Sequence, residues 1–144
     1  MWLLDTNIAS ELSRLRPDAM VIEWLRLQNP QMLRLSVVTL AELRYGVETC
    51  GDIAKRQRLE AWLVGVRQHF AGRVAGIAEE TLVHWQAVIA RCNARRYTIP
   101  QGDSLIAAIA EEHGWSVCSR DSRPYDIAGL PVLNPWTGER FNGA

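Results

Sequence analysis

The chain has 144 residues, the size of one ordinary domain, and 48% of them are apolar, enough to bury a core without disulfide staples. Sixteen basic residues balance sixteen acidic ones, so the formal net charge is zero, which argues against a strongly basic nucleic-acid carrier. No run approaches the roughly 20 apolar residues of a membrane span, and Met1-Trp2-Leu3-Leu4-Asp5 lacks the basic start of a secretory signal, so a soluble cytoplasmic protein is expected.

Residues 2–5 are a short apolar run closed by Asp5, the pattern of a buried strand. Thr6-Asn7 opens a helix, with Asn7 as its cap. Arg16-Pro17-Asp18 breaks it, and a second helix begins at Pro17, with Val21, Trp24 and Leu25 at helical spacing and Asn29-Pro30 as its end. Residues 33–38 read as a second strand. Thr39-Leu40-Ala41-Glu42 then matches a capping box, and Leu40, Leu43, Val47 and Cys50 carry a helix to Gly51. Asp52 starts the next helix, whose stripe is Leu59, Trp62, Leu63, Val66 and Phe70.

Residues 73–78 form a third strand. A helix follows with Leu82, Trp85, Ile89 and Cys92 on one face, ending near Arg95-Arg96. After a loop over 97–102, a helix runs from Asp103 to His113 and stops at Gly114. Residues 115–119 and 130–133 are the fourth and fifth strands. Strands alternating with helices imply one α/β domain over 1–144, with a mostly parallel sheet covered on both faces. Cys50, Cys92 and Cys118 form no C-x-x-C pair, and each sits in an apolar stretch, so they read as buried free thiols. His69, His84 and His113 show no metal-ligand spacing and read as structural or solvated.

Four acids share a placement. Asp5 closes strand one, Glu42 lies in the first turn after strand two, Asp103 opens the helix leading into strand four, and Asp121 follows strand four. In an open parallel sheet, ligands bind outside the carboxyl ends of the strands. Carboxylates gathered there raise one another's pKa unless a cation neutralises them. With no imidazole or thiolate in the set, Mg²⁺ or Mn²⁺ suits it better than zinc. Such an ion serves phosphodiester hydrolysis by polarising a phosphoryl oxygen and activating water. Taken singly, each acid also has a plain structural reading: Glu42 as the return half of a capping box, Asp103 as a helix-dipole residue, Asp121 as a turn residue.

The motifs then carry a resemblance. Leu3-Leu4-Asp5-Thr6-Asn7 resembles the opening of a PIN domain, and Thr39-x-Ala41-Glu42-x-x-Tyr45-Gly46 its second motif. Pro100-x-x-Asp103-x-x-Ile106-Ala107-Ala108-x-Ala110 resembles the third. Ser119-Arg120-Asp121 and Leu133-Asn134-Pro135-Trp136 are similar to the tail of the VapC and FitB branch. The resemblance covers nearly the whole chain. It implies a three-layer α/β/α domain around a five-stranded, mostly parallel sheet. It also implies a Mg²⁺- or Mn²⁺-dependent endoribonuclease, the toxin of a type II toxin–antitoxin pair, held by a VapB- or FitA-like antitoxin and forming a homodimer and larger complexes with it.

By the same resemblance Asp5, Glu42 and Asp103 are the core metal-holding acids. Many relatives read Thr-Arg-Asn after strand four, with an aspartate three residues beyond the asparagine. Here Asp121 replaces that asparagine and Pro124 fills the later position, so Asp121 is assigned as fourth acid, with Asp126 as the substitute. Asn7 and Ser119 are candidates to orient Asp5 or a phosphate, and Arg120 is a candidate phosphate contact. Three other readings compete. A haloacid-dehalogenase-type phosphatase needs an acid where Asn7 stands, and a dinucleotide-binding fold needs a Gly-rich turn that is absent. A catalytically silent PIN-like module that binds RNA or a partner would be expected to have lost acids from the cleft.

Overall fold

A computed structural model describes residues 1–144. Its sheet is built from β1 (Trp2–Leu4), β2 (Leu33–Ser36), β3 (Val74–Ala75), β4 (Ser116–Cys118), β5 (Val132–Leu133) and β6 (Arg140–Phe141). The order across the sheet is β3-β2-β1-β4-β5-β6, parallel throughout except for β6, which runs antiparallel to β5. The sheet therefore has six strands where five were expected. The sixth is a two-residue edge piece in a stretch too polar to announce itself, beginning at Arg140.

Alternation along each strand makes the layers. Leu3, Val117 and Val132 enter one buried cluster, and their neighbours Leu4, Cys118 and Leu133 enter the other. Successive side chains of a strand point to opposite faces, so a strand buried on both sides reads as a continuous apolar run. On the first face pack α5 (Glu79–Ala94), α6 (Gln101–His113) and α7 (Arg123–Ile127), through Val88, Ile106, Ile109 and Tyr125. The second face receives α1 (Thr6–Leu12), α2 (Ala19–Arg26), α3 (Val37–Glu48) and α4 (Ile53–His69), through Ile8, Val21, Leu43 and Leu63. This is the three-layer arrangement the resemblance implies. No helix is long and apolar enough to cross a membrane.

Helix starts differ from expectation in ways that matter for the site. The cap of α1 is Asp5, whose carboxylate accepts from Thr6 N–H at 2.7 Å, so Asn7 lies inside the helix with its amide free for other work. Asp18 caps α2 in the place expected of Pro17. Ser36 caps α3, its hydroxyl accepting from Thr39 N–H at 3.0 Å. The capping box read at Thr39–Glu42 is thus three residues late: Ser36 takes the cap role, and Glu42 is not bound back to a helix end. The helix also stops at Glu48, short of Gly51.

Two apolar readings shift as well. On α5 the buried positions are Thr81, Val88 and Cys92, while Leu82 is 44% exposed, so the stripe is rotated by one residue at its start. Cys92 and Cys118 are buried free thiols, but Cys50 is only half-buried, because α3 has already ended before it. Trp62 and Trp24 pack against the second cluster, Trp24 edge-on to Trp2 at 5.3 Å. The segment holding α7 was assigned no element from sequence, although Pro124 at its first turn is a common helix opener.

Candidate active site

Chain order reverses at β1. From it the sheet grows one way through β2 and β3, and the other way through β4, β5 and β6. Loops leaving β1 and β4 therefore part at the carboxyl edge and open a crevice, the position where open α/β sheets take ligands. Asp5 follows β1 directly, and its N–H still bonds Cys118 O at 3.0 Å. Helix α6 runs back beneath the sheet, which brings its first turn, and so Asp103, to the same edge.

A cleft of ≈ 450 Å³ lies there, lined by Asp5, Asn7, Glu42, Asp103, Arg120 and Asp121 together with Thr6, Ser10, Glu11, Arg14 and Trp136. All four acids singled out in the sequence are thus brought to one cleft, along with Asn7 and Arg120. Ser119 is fully buried behind them. Asp126 is not at the cleft, and its carboxylate accepts from the Asn142 amide at 3.1 Å.

Asp5 is held from three sides. Its Oδ1 accepts from Thr6 N–H, and its Oδ2 accepts from Ser119 Oγ at 2.6 Å and from Asn7 Nδ2 at 3.1 Å. Ser119 Oγ, having given its proton to Asp5, accepts from Asn7 Nδ2 at 3.0 Å and from Asp121 N–H at 3.1 Å. Asn7 Oδ1 in turn accepts from Arg120 N–H at 3.0 Å. One connected network therefore fixes the ends of β1 and β4 relative to each other. On the opposite wall, Thr6 Oγ1 donates to Glu42, tying α1 to α3.

Electrostatics records the convergence. The Asp103 carboxyl is pushed up to about 6, first by desolvation and then by the charges of Asp5, Asp121 and Glu42. Burial also raises Asp5, against the pull of the Ser119 and Thr6 hydrogen bonds, and the Glu42 charge adds to the rise. Desolvation leads both shifts and neighbouring carboxylates add to them, as expected where acids share a cleft.

Sequence reading passed over four cleft features. Glu11 stands four residues after Asn7 on α1, so helical spacing was a usable signal for it, while Arg14 enters from the turn just beyond the helix. Glu11 is buried and accepts from Asp18 N–H at 2.7 Å, which anchors the α1–α2 turn. Trp136 reaches the cleft from the tail, and only the fold reveals that. Tyr125, on α7, is completely buried under the site. Desolvation first, then the charges of Asp5 and Asp103, lift its hydroxyl well above its usual value, so it stays protonated. That hydroxyl faces the Asp5 carboxyl but makes no hydrogen bond of full geometry. An unpaired buried hydroxyl costs stability, so Tyr125→Phe is expected to leave the unfolding free energy unchanged or raise it by about 1 kcal/mol in chemical denaturation. A loss of stability would show instead that the hydroxyl bonds Asp5 in solution.

Comparison with known proteins identifies this arrangement. The PIN domain family matches residues 2–130. The chain belongs to the PIN-domain family. Among similar proteins, the VapC ribonuclease Y4jK of Sinorhizobium fredii is 36% identical over 137 residues, covering 94% of this chain and 98% of that protein. Toxin FitB of Neisseria gonorrhoeae is 33% identical over 140 residues, with 94% and 99% covered. The crystal structure of FitAcB from Neisseria gonorrhoeae superposes with a TM-score of 0.90 at 33% identity, covering 94% of this chain and 99% of that one.

The donor set of this PIN domain fits a hard dication. Every acid in the cleft offers carboxylate oxygen, no thiolate or imidazole lines it, and the mutual repulsion felt at Asp103 is what a cation would relieve. As the side chains stand, no three acidic, histidine or cysteine groups come close enough together to hold a metal ion between them.

Proposed function

We propose that this PIN domain is a divalent-metal-dependent endoribonuclease and the toxin of a type II toxin–antitoxin pair. The observation that supports it most is the gathering of Asp5, Glu42, Asp103 and Asp121 around one cleft at the switch point of the sheet. The names of the relatives, a VapC ribonuclease and Toxin FitB, point to the same activity and biological role. The alternative of a silent RNA- or partner-binding module has no feature of its own in this cleft, since all four acids are present.

In this reading Asp5, Asp103, Glu42 and Asp121 hold Mg²⁺ or Mn²⁺, and the bound ion supplies polarisation of the phosphate and an acidified water. Ser119 and Asn7 hold Asp5 in register, the support that metal-ligating carboxylates ordinarily need. Thr6 does the same for Glu42. Arg120 offers a fork to the scissile strand's phosphate. The partners proposed are RNA, a VapB- or FitA-like antitoxin and a second copy of the chain, in the cytoplasm. The purified protein is expected to cut RNA with Mg²⁺ or Mn²⁺ and to stop when EDTA is added. RNA bound but left intact under those conditions would favour the silent module.

Metal binding has a pH signature. Asp103 has its folded pKa raised to about 6, above its value of 3.8 in the unfolded chain. Its contribution to stability is therefore present at low pH and lost as pH rises through about 6 in the metal-free protein. A dication replaces the proton. Mn²⁺ is expected to raise the thermal midpoint strongly near neutral pH, and the increment is expected to shrink as pH falls below about 6. Thermal melts with Mn²⁺ and with EDTA across this range check it, and an increment independent of pH would remove Asp103 from the metal site.

A further inference from the structure

We infer that Trp136, paired with Arg120, forms a subsite on which one base of the RNA stacks beside the metal cleft. The inference rests on the nuclease reading and names how that site grips its substrate. Trp136 is the one apolar residue lining a cleft otherwise made of charged and polar groups. It lies in the Leu133-Asn134-Pro135-Trp136 tail, past the residues 2–130 that the family match spans. Nothing in a cleft for metal and phosphate calls for an indole. A nucleobase does, because every base carries a π-face that stacks on an aromatic ring whatever its identity.

The ring is held as a platform. It is half-buried, packs against the second core cluster and also lines the cleft. The Arg120 guanidinium lies 5.3 Å from its centroid, within cation–π range. A single side chain locks the two together. Asn134 Nδ2 donates to Arg120 O at 3.0 Å, and Asn134 Oδ1 accepts from Trp136 N–H at 2.9 Å. Arg120 N–H is bound to Asn7, which is bound to Asp5. The platform is thus registered against the acid at the heart of the site through consecutive hydrogen bonds. A base on Trp136 would place its own phosphate within the domain of Arg120 and the acids, so stacking sets where the strand sits.

The test uses full-length protein carrying Asp103→Asn, so that RNA is not consumed, and a labelled single-stranded RNA oligonucleotide with Mn²⁺. Fluorescence anisotropy reads the affinity. Trp136→Ala is expected to weaken binding roughly 5- to 150-fold, and Trp136→Leu nearly as much, whereas Trp136→Phe stays within about threefold. Leu keeps apolar bulk without a π-face, so it separates stacking from packing if the Ala variant proves unstable. In a series of oligonucleotides with one abasic nucleotide walked along the strand, one position should abolish the difference between Trp136 and Ala. Arg120→Gln should lower the salt dependence by about one phosphate contact, and Trp136→Ala should leave it unchanged. Unaltered affinity in the Ala and Leu variants, or an undiminished Trp136 effect at every abasic position, overturns the subsite. Failure of the wild-type protein to cut RNA with Mn²⁺ counts against the nuclease reading alone, because the binding contrast decides the subsite separately.

Discussion

Asp103→Asn is expected to lower RNA cleavage by roughly 10²–10³-fold while leaving the metal-free protein as stable as wild type or more so near neutral pH. The two halves have one cause. Asp103 sits among Asp5, Asp121 and Glu42, and its carboxyl is raised to about 6. Near neutral pH it is ionised at a cost, which the proposed cation would offset. Asparagine keeps the shape and never carries the charge. It removes the repulsion from the empty site together with a ligand from the filled one. Parallel measurement of single-turnover cleavage with Mn²⁺ and of thermal midpoint with EDTA checks both. A variant that cleaves normally, or one that melts well below wild type, would show that Asp103 serves the helix and not the ion. Asp5→Asn is a less silent change, because Thr6 N–H, Ser119 Oγ and Asn7 Nδ2 all donate to the Asp5 oxygens and an amide NH₂ would face one of those donors.

Gly102→Ala is expected to cost about 10²-fold in cleavage with little change in stability. Gly102 precedes Asp103 in the first turn of α6, and a Cβ built there runs into Glu42 Oε1, with the next atom, Glu42 Cδ, at 3.5 Å. The backbone conformation is ordinary, so the substitution carries no left-handed strain. Ala is also the better helix former, which offsets part of the cost. What must move is the end of a flexible side chain, and that end is the Glu42 carboxylate. Displacing one acid by about 1 Å while leaving the fold intact is the kind of misplacement that costs two orders of magnitude. Comparable cleavage by the Ala variant would show that Glu42 acts from another rotamer or does not act. Rescue by Glu42→Asp in the Gly102→Ala background, through its shorter side chain, would tie the loss to that contact.

The difference between these two substitutions reflects how much of the site the sequence displayed. Asp103 stood out because an acid opens a helix after Pro100 and Gly102, at motif spacing. Glu42 was visible too, but in the wrong structural role, since Thr39-x-x-Glu42 satisfies the pattern of a capping box. Ser36 competes for the same helix end and wins, because the strand stops there and its hydroxyl reaches Thr39 N–H. A cap motif reports local hydrogen-bonding capacity. It does not say which of two neighbouring side-chain acceptors the chain direction will use. Asn7 was misplaced for the same reason: Asp5 is the cap, and the spare amide of Asn7 spans to Ser119 and Arg120.

By itself the sequence determined the order of strands and helices, the two-sided burial of the sheet, and the identity of the acids. These follow from periodicity, from apolar runs such as Trp2–Leu4, and from charges placed where a strand has just ended, all of which act over a few residues. The tertiary structure alone decided that Tyr125 lies under Asp5, that Trp136 turns back into the cleft, and that Asn134 fastens it to Arg120. Those relations join residues over 100 positions apart, or hang on a tail whose sequence matches a motif but carries no periodicity that says where it folds back. Their energy comes from burial and from hydrogen bonds between elements, and no short window of sequence contains both partners.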